Sequence, residues 1–306
     1  MSKITGGARK PKKGTAMKGT STGELKFTPE LVIVLLIAGL YTVFLIETRL
    51  DNSLISLILS AFLVIVFLVF AYTVRAGTHK RKREFSALIY VFLGLSTFSL
   101  AWECLTSLSI IDATRIGPVI WPGTVGTVNA IVSLVIIGAI VYLDKIPPEE
   151  MFLTLGDTKV VMLGVITFAL SILLATGAAY LIFGGAAMGP DRLLQLTISV
   201  IVFGILSGVV EEFWFRGLMM SRIMNIIGES QGNIIQAVVF GAFEAMIFYT
   251  ITGEITLLPA IFIIGAMTGY YWGRATLKSG SLLSSALIHA GFYMLITLPI
   301  LVSLMS

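Results

Sequence analysis

The heptapeptide Glu211-Glu212-Phe213-Trp214-Phe215-Arg216-Gly217 places two carboxylates and a guanidinium inside a run that is otherwise almost purely apolar. Ionisable groups in such a setting are costly and mark a functional site by default, with a buried structural pair as the plain alternative. At about 100° per helical residue, Glu212 and Arg216 lie one turn apart and can pair, while Glu211 is turned away from Arg216 and left for other work. Two more such groups follow in later apolar runs, Glu244 and His289. Glu211 lies 11 residues before Arg222, Glu244 lies 11 residues after Asn233, and His289 lies 9 residues after Gly280. At about 1.5 Å per residue, each sits roughly 13–17 Å below the same membrane surface. The spacing therefore predicts that three helices bring two carboxylates and an imidazole to one level. The competing expectation is that Glu244 and His289 merely bond to neighbouring backbone. Two carboxylates sharing a proton in a low-dielectric site form an acid/base dyad for hydrolysis. With His289 they form a two-carboxylate, one-histidine set for a divalent metal.

The elements that must carry these residues follow from composition. With 57% hydrophobic and 12% charged residues and a mean hydropathy of +0.97, the 306 residues do not describe an ordinary soluble domain. Apolar runs near the ~20 residues that span a bilayer make the expected class all-α, a polytopic transmembrane helical bundle of eight to nine spans. Nine are expected, over 31–47, 54–74, 86–110, 119–143, 160–183, 194–221, 233–250, 257–273 and 281–304. Three regions follow: a basic disordered arm over 1–30, N-terminal spans over 31–146, and a C-terminal block over 147–306, opened by Pro147-Pro148-Glu149-Glu150 and holding the candidate chemistry. Lys3, Arg9, Lys10, Lys12, Lys13, Lys18 and Lys26 in the arm, with Arg75, Lys80, Arg81, Lys82 and Arg83 in the second connection, outnumber Arg49, Arg115 and Arg192 opposite. That asymmetry puts the N-terminus in the cytoplasm and the C-terminus outside. The arm is expected to contact anionic membrane lipid, and no nucleic-acid partner is expected. Gly265, Gly269 and Gly273, spaced by four, are expected to let helix backbones approach closely. The single Cys104 excludes an internal disulfide and, in its apolar run, is expected to pack inertly, and Glu103 is expected to be a structural or interfacial acid.

The ordered set Glu211-Glu212-Phe213-Trp214-Phe215-Arg216-Gly217, Phe240-Gly241-Ala242-Phe243-Glu244, and Gly280-Ser281-Leu282-Leu283 leading to His289-Ala290-Gly291-Phe292-Tyr293 resembles the signature of the CPBP intramembrane proteases, the CAAX prenyl protease or Abi family. Two positions depart from it. Glu244 stands where the family's second motif has a histidine, and Tyr293 stands where the last has asparagine or aspartate. His79 lies in a basic connection and cannot fill the first gap. The resemblance implies an intramembrane endopeptidase of metalloprotease type in a prokaryotic plasma membrane, cleaving a membrane-associated protein or peptide, prenylated or not, at a cytoplasm-facing cavity. Carried over by position, Glu211 activates water, Glu212 and Arg216 organise the site, and His289 and Tyr293 donate to the oxyanion. Glu244 either completes a dyad with Glu211 or, with Glu211 and His289, ligates a divalent metal, zinc by family resemblance. Two other classes stay open: a catalytically inactive relative acting as a membrane scaffold or lipid- or peptide-binding protein, and a transporter with a carboxylate proton relay.

Overall fold

The computed structural model describes residues 28–50, 54–78, 80–108, 116, 117 and 119–305. Most of the basic arm, together with His79 and Arg115, lies outside the described residues. The order is α1 Pro29–Leu50, α2 Leu54–Ala76, α3 Lys82–Ser107, α4 Trp121–Asp144, α5 Thr158–Leu181, α6 Pro190–Glu212, α7 Ser221–Ile227, α8 Glu229–Thr252, α9 Leu258–Ser279 and α10 Leu282–Met305. No strand occurs among the described residues, and nine helical stretches are long and apolar enough to cross a membrane. The protein is an all-α polytopic bundle, with Pro190–Ile227 acting as one stretch of 38 residues. Large hydrophobic side chains such as Leu36, Phe62, Tyr72, Leu173 and Ile263 point outward, as lipid-facing helices require.

Helix ends are set by local chemistry. The carboxylate of Asp157 accepts the Lys159 amide at 2.8 Å and starts α5. Gly280, at φ +69°, closes α9 in the left-handed conformation and turns the chain into α10. A regular α-helix was expected through the first motif, but Phe213–Met220 is a π-helix between α6 and α7. Such segments gather at functional sites. This one has neighbours on every side: Trp214 through Ile223 are all buried.

The packing follows small residues. α8 and α9 lie along one another, with Gly265 facing Gly241 and Gly269 facing Ala237. An added Cβ on Gly265 would stand 3.0 Å from the Gly241 Cα, and one on Gly273 would collide with Asn233 Oδ1. The spacing by four thus does what was expected of it. α10 packs on α5 and α6, where a Cβ on Gly204 would stand 3.0 Å from the Ala290 carbonyl oxygen. α4 also packs on α6, and α1 packs on α8, whereas α8 runs along neither α6 nor α10. The π-helix and the α9–α10 turn therefore join two groups of helices.

Between α4 and α5 the chain forms a strap. The Leu282 amide donates to Phe152 O at 3.0 Å, the Asp157 amide to Ser279 O at 2.8 Å, and Ser281 Oγ to Thr154 O at 2.6 Å. Met151 is buried beside Gly217. Arg222, taken from the sequence as a span-end marker, is buried and pairs with Glu150 at 2.8 Å. Asn233, taken as the start of its span, is buried against α9 instead. Cys104 is exposed on α3, whose buried stripe ends at Ser99, short of its position.

Candidate active site

α6 delivers Glu211 and Glu212 side by side, both buried, and the π-helix delivers Arg216. Arg216 Nη1 stands 2.9 Å from Glu212 Oε1 with both side chains fully buried. The one-turn pairing expected from spacing is present, even though the intervening backbone is a π-helix. A lone buried charge is far costlier than a pair, so each holds the other ionised. Around the guanidinium, Nη2 donates to Gly269 O at 3.3 Å, and its carbon lies 4.4 Å from the Phe240 ring centre and 5.5 Å from that of Trp272. Aromatic faces replace part of the hydration that burial removes.

His289, on α10, is brought into the same cluster. Its Nδ1 lies 3.1 Å from Glu212 Oε1, which as a carboxylate can only accept, so Nδ1 carries the proton and donates. The ring is clamped by Tyr293, stacked at 4.8 Å and 20°, by Trp272 at 4.2 Å, and by the edge of Phe240 at 5.5 Å. Nε2 is thereby aimed at Glu211 Oε2, 3.4 Å away, and at Glu244 Oε1, 4.0 Å away. Neither Nε2 nor Glu211 Oε2 has a hydrogen-bond partner, although both are buried. Tyr293 Oη lies 2.6 Å from Glu211 Oε1 and 3.3 Å from Glu244 Oε1. A hydroxyl has one proton to donate, so it bridges the two acids without satisfying both. Glu244, on α8, keeps 15% of its side chain exposed.

All six residues singled out from the sequence, Glu211, Glu212, Arg216, Glu244, His289 and Tyr293, therefore meet at one place. Glu211, Glu244 and His289 reach this cluster from three different helices. One ligand atom each from Glu211, Glu244 and His289 lies within 4.8 Å of the others, so this group could hold a metal ion. Glu103 is not among the three.

Sequence reasoning missed the layer behind. Gln236 Nε2 donates to Gly269 O at 3.0 Å, the same carbonyl that Arg216 uses, and to Asn233 Oδ1 at 3.0 Å. Asn233 Nδ2 in turn donates to Tyr270 O at 3.1 Å. These bonds fasten α9, and with it Trp272, to the Arg216–Glu212 pair. The signal was available: Asn233, Gln236 and Glu244 fall on one face at three- and four-residue steps, with only Phe240 between them, on an otherwise apolar helix.

Fold and site together define an integral membrane protein with a buried carboxylate–histidine centre. Residues 193–295, about a third of the chain, match the family model for Rce1-like type II CAAX prenyl endopeptidases, so this block is similar to CAAX-type intramembrane proteases. The match contains every motif on which the CPBP resemblance rests. No curated protein and no solved structure matches the chain.

Proposed function

We propose that the protein is an intramembrane endopeptidase that cleaves a membrane-associated protein or peptide, with Glu211 activating the water. The observation that carries this reading is the convergence of unpartnered, buried Glu211 Oε2 and His289 Nε2 beside Glu244. Polar atoms left unsatisfied in a protein interior need a partner, and a water and a substrate carbonyl are partners of the right chemistry. Glu211 takes a proton from water as the oxygen attacks the peptide carbon. Glu244 holds the one proton that the two acids share and gives it to the leaving nitrogen as the carbon–nitrogen bond breaks, while Glu211 keeps the proton taken from water. Tyr293 and His289 are the donors placed beside the oxygen on which negative charge develops. Glu212 and Arg216 touch no reacting atom in this scheme. They hold His289 in orientation through the Nδ1 bond, as a carboxylate does in many His-dependent sites.

Glu211, Glu244 and His289 also fit a divalent metal such as zinc, two oxygens and one nitrogen leaving room for water. Such an ion, when bound, would supply polarisation of the water and of the carbonyl. The orientation supported by the lysine and arginine asymmetry puts the N-terminus in the cytoplasm and the Arg222 end of the bundle on that side.

The test is cleavage of a prenylated peptide by purified protein, comparing wild type with Glu211→Gln. General acid–base groups contribute about 10²–10⁴-fold, so the variant should lose at least about 100-fold in rate. Full activity in Glu211→Gln would remove the assignment at its first residue. A wild type inert toward prenylated and unprenylated peptides alike would favour the scaffold reading, which rests on Glu244 replacing the family's histidine.

A further inference from the structure

We infer that the groove between α1, α2 and α3 holds one anionic phospholipid, its acyl chains in the groove and its phosphate on Lys82 and Arg75. The site lies in the folded helices, apart from the basic arm and from the carboxylate–histidine cluster, and does not depend on peptide hydrolysis. The groove has a volume of about 950 Å³, at the top of the roughly 300–1,000 Å³ range of ligand sites. Leu36 and Leu40 of α1, Phe70 and Val74 of α2, and Ile89 of α3 wall it. α1 and α2 meet away from it, where the Phe44 and Phe62 ring centres lie 5.9 Å apart and Leu45 and Leu63 are buried. Toward the Pro29 end of α1 and the Ala76 end of α2, the two helices leave the groove between them. Leu36 is 67% exposed and Phe70 41% exposed, so the wedge opens sideways to the bilayer. A concave wall of hydrocarbon side chains favours a hydrocarbon occupant.

Charge selects the head group. Gly77 and Thr78 line the groove where the chain leaves α2 for the basic connection. Lys82 Nζ donates to Gly77 O at 3.2 Å, which stations an ammonium at the mouth with two further N–H bonds to give. Arg75 follows Val74 of the wall; its Nη1 donates to Tyr90 Oη at 2.9 Å, and the rest of its fork is left to give. Lys80 is a third exposed cation. The other two are engaged elsewhere: Arg81 donates to Ile226 O at 2.6 Å, and Arg83 lines a separate polar pocket with Glu84, Asp144 and Glu150. Glu30, in the first turn of α1, is the remaining acid that the described residues of α1, α2 and α3 carry at this end. Cations at the mouth of an apolar wedge fit a phosphodiester carried on acyl chains. By the lysine and arginine asymmetry this is the cytoplasmic leaflet, whose surface is negative. Bound there, the lipid fills the space between α1, which packs on α8, and α2, which packs on α3.

The probe is phosphatidylglycerol, compared with phosphatidylcholine of the same acyl chains and with inorganic phosphate. Full-length protein, delipidated in detergent, is titrated with each, reading bound lipid per chain by native mass spectrometry and the thermal unfolding midpoint. One phosphatidylglycerol per chain is expected, with a midpoint that climbs as its concentration exceeds the dissociation constant. Phosphatidylcholine should bind more weakly, and inorganic phosphate should leave the midpoint unmoved. Lys82→Gln and Arg75→Gln should each weaken phosphatidylglycerol binding by about 5-fold, the worth of one cation near a membrane surface. Val74→Trp should abolish it by filling the wedge. Lys278→Gln removes an exposed lysine in the last turn of α9 and should bind as wild type. Equal affinity for the two lipids, equal stabilisation by phosphate alone, or wild-type affinity in both cation variants overturns the inference. So does a loss in Lys278→Gln as large as in Lys82→Gln, which would mean attraction to charge without a site. Where Val74→Trp does not fold, the cation variants decide. None of these readouts involves cleavage, so the peptidase reading stands or falls separately.

Discussion

Replacing Arg216 by alanine puts the buried pair to the test. The side chains of Arg216 and Glu212 are both fully buried at 2.9 Å, so truncation leaves a carboxylate in the interior with no guanidinium. Breaking a buried pair from one side costs about 3–5 kcal/mol, because the remaining charge stays desolvated. The His289 Nδ1–H bond to Glu212 survives and holds the loss toward the lower end. The lost stacking on Phe240 and Trp272 and the lost bond to Gly269 O push it back up. We therefore expect Arg216→Ala to lose about 3–5 kcal/mol, a large share of the 5–15 kcal/mol that a folded domain commonly has. Arg216→Lys keeps the charge but not the fork and should lose the Gly269 bond, about 1 kcal/mol. The double change Glu212→Leu with Arg216→Met removes both charges and should recover most of the stability, yet leave His289 without its anchor and the protein inactive. Arg222→Ala is the contrast: the Glu150 carboxylate it leaves behind is 48% exposed and stays solvated, so the loss should be smaller than for Arg216→Ala. Denaturant unfolding in micelles, followed by tryptophan fluorescence, measures all four. If Arg216→Ala unfolds within about 0.5 kcal/mol of wild type, the pair is not carrying the site and the reasoning from burial fails.

Two other outcomes can be checked with the same protein. Glu244→His restores the family's second motif but removes one acid of the dyad, so peptide cleavage should fall by about 10-fold or more in a kcat/KM measurement; a rise would show that Glu244 is a lesion. Gly241→Ala puts a Cβ 2.6 Å from Phe262 O and 2.7 Å from the Ala266 amide, both backbone, and should cost about 1–3 kcal/mol of thermal stability. Gly39→Ala meets nothing within 4 Å and should be neutral or slightly stabilising, and equal midpoints for the two variants would contradict the α8–α9 packing.

What the sequence determined by itself was whatever the bilayer and helix geometry impose on every chain. A hydrocarbon layer demands long apolar helices, so nine stretches and the fold class could be read directly, with boundaries within a few residues except where polar residues made a span look shorter, as at Arg222 and in the last turns of α9, which runs on to Ser279. Counting along three helices grouped Glu211, Glu244 and His289, although Arg222 and Asn233, from which two of the counts ran, are not span ends, and the turn fixed the Glu212–Arg216 pair. Direction around each helix axis was another matter, because it depends on which neighbour a face meets. Only the tertiary structure decided that His289 gives Nδ1–H to Glu212 and turns Nε2 toward Glu211, and that one tyrosine hydroxyl spans two acids from different helices. The π-helix was equally out of reach. Nothing local in Phe213–Met220 tells a π-turn from an α-turn, and the wider turn belongs to a segment surrounded by packing partners drawn from distant parts of the chain.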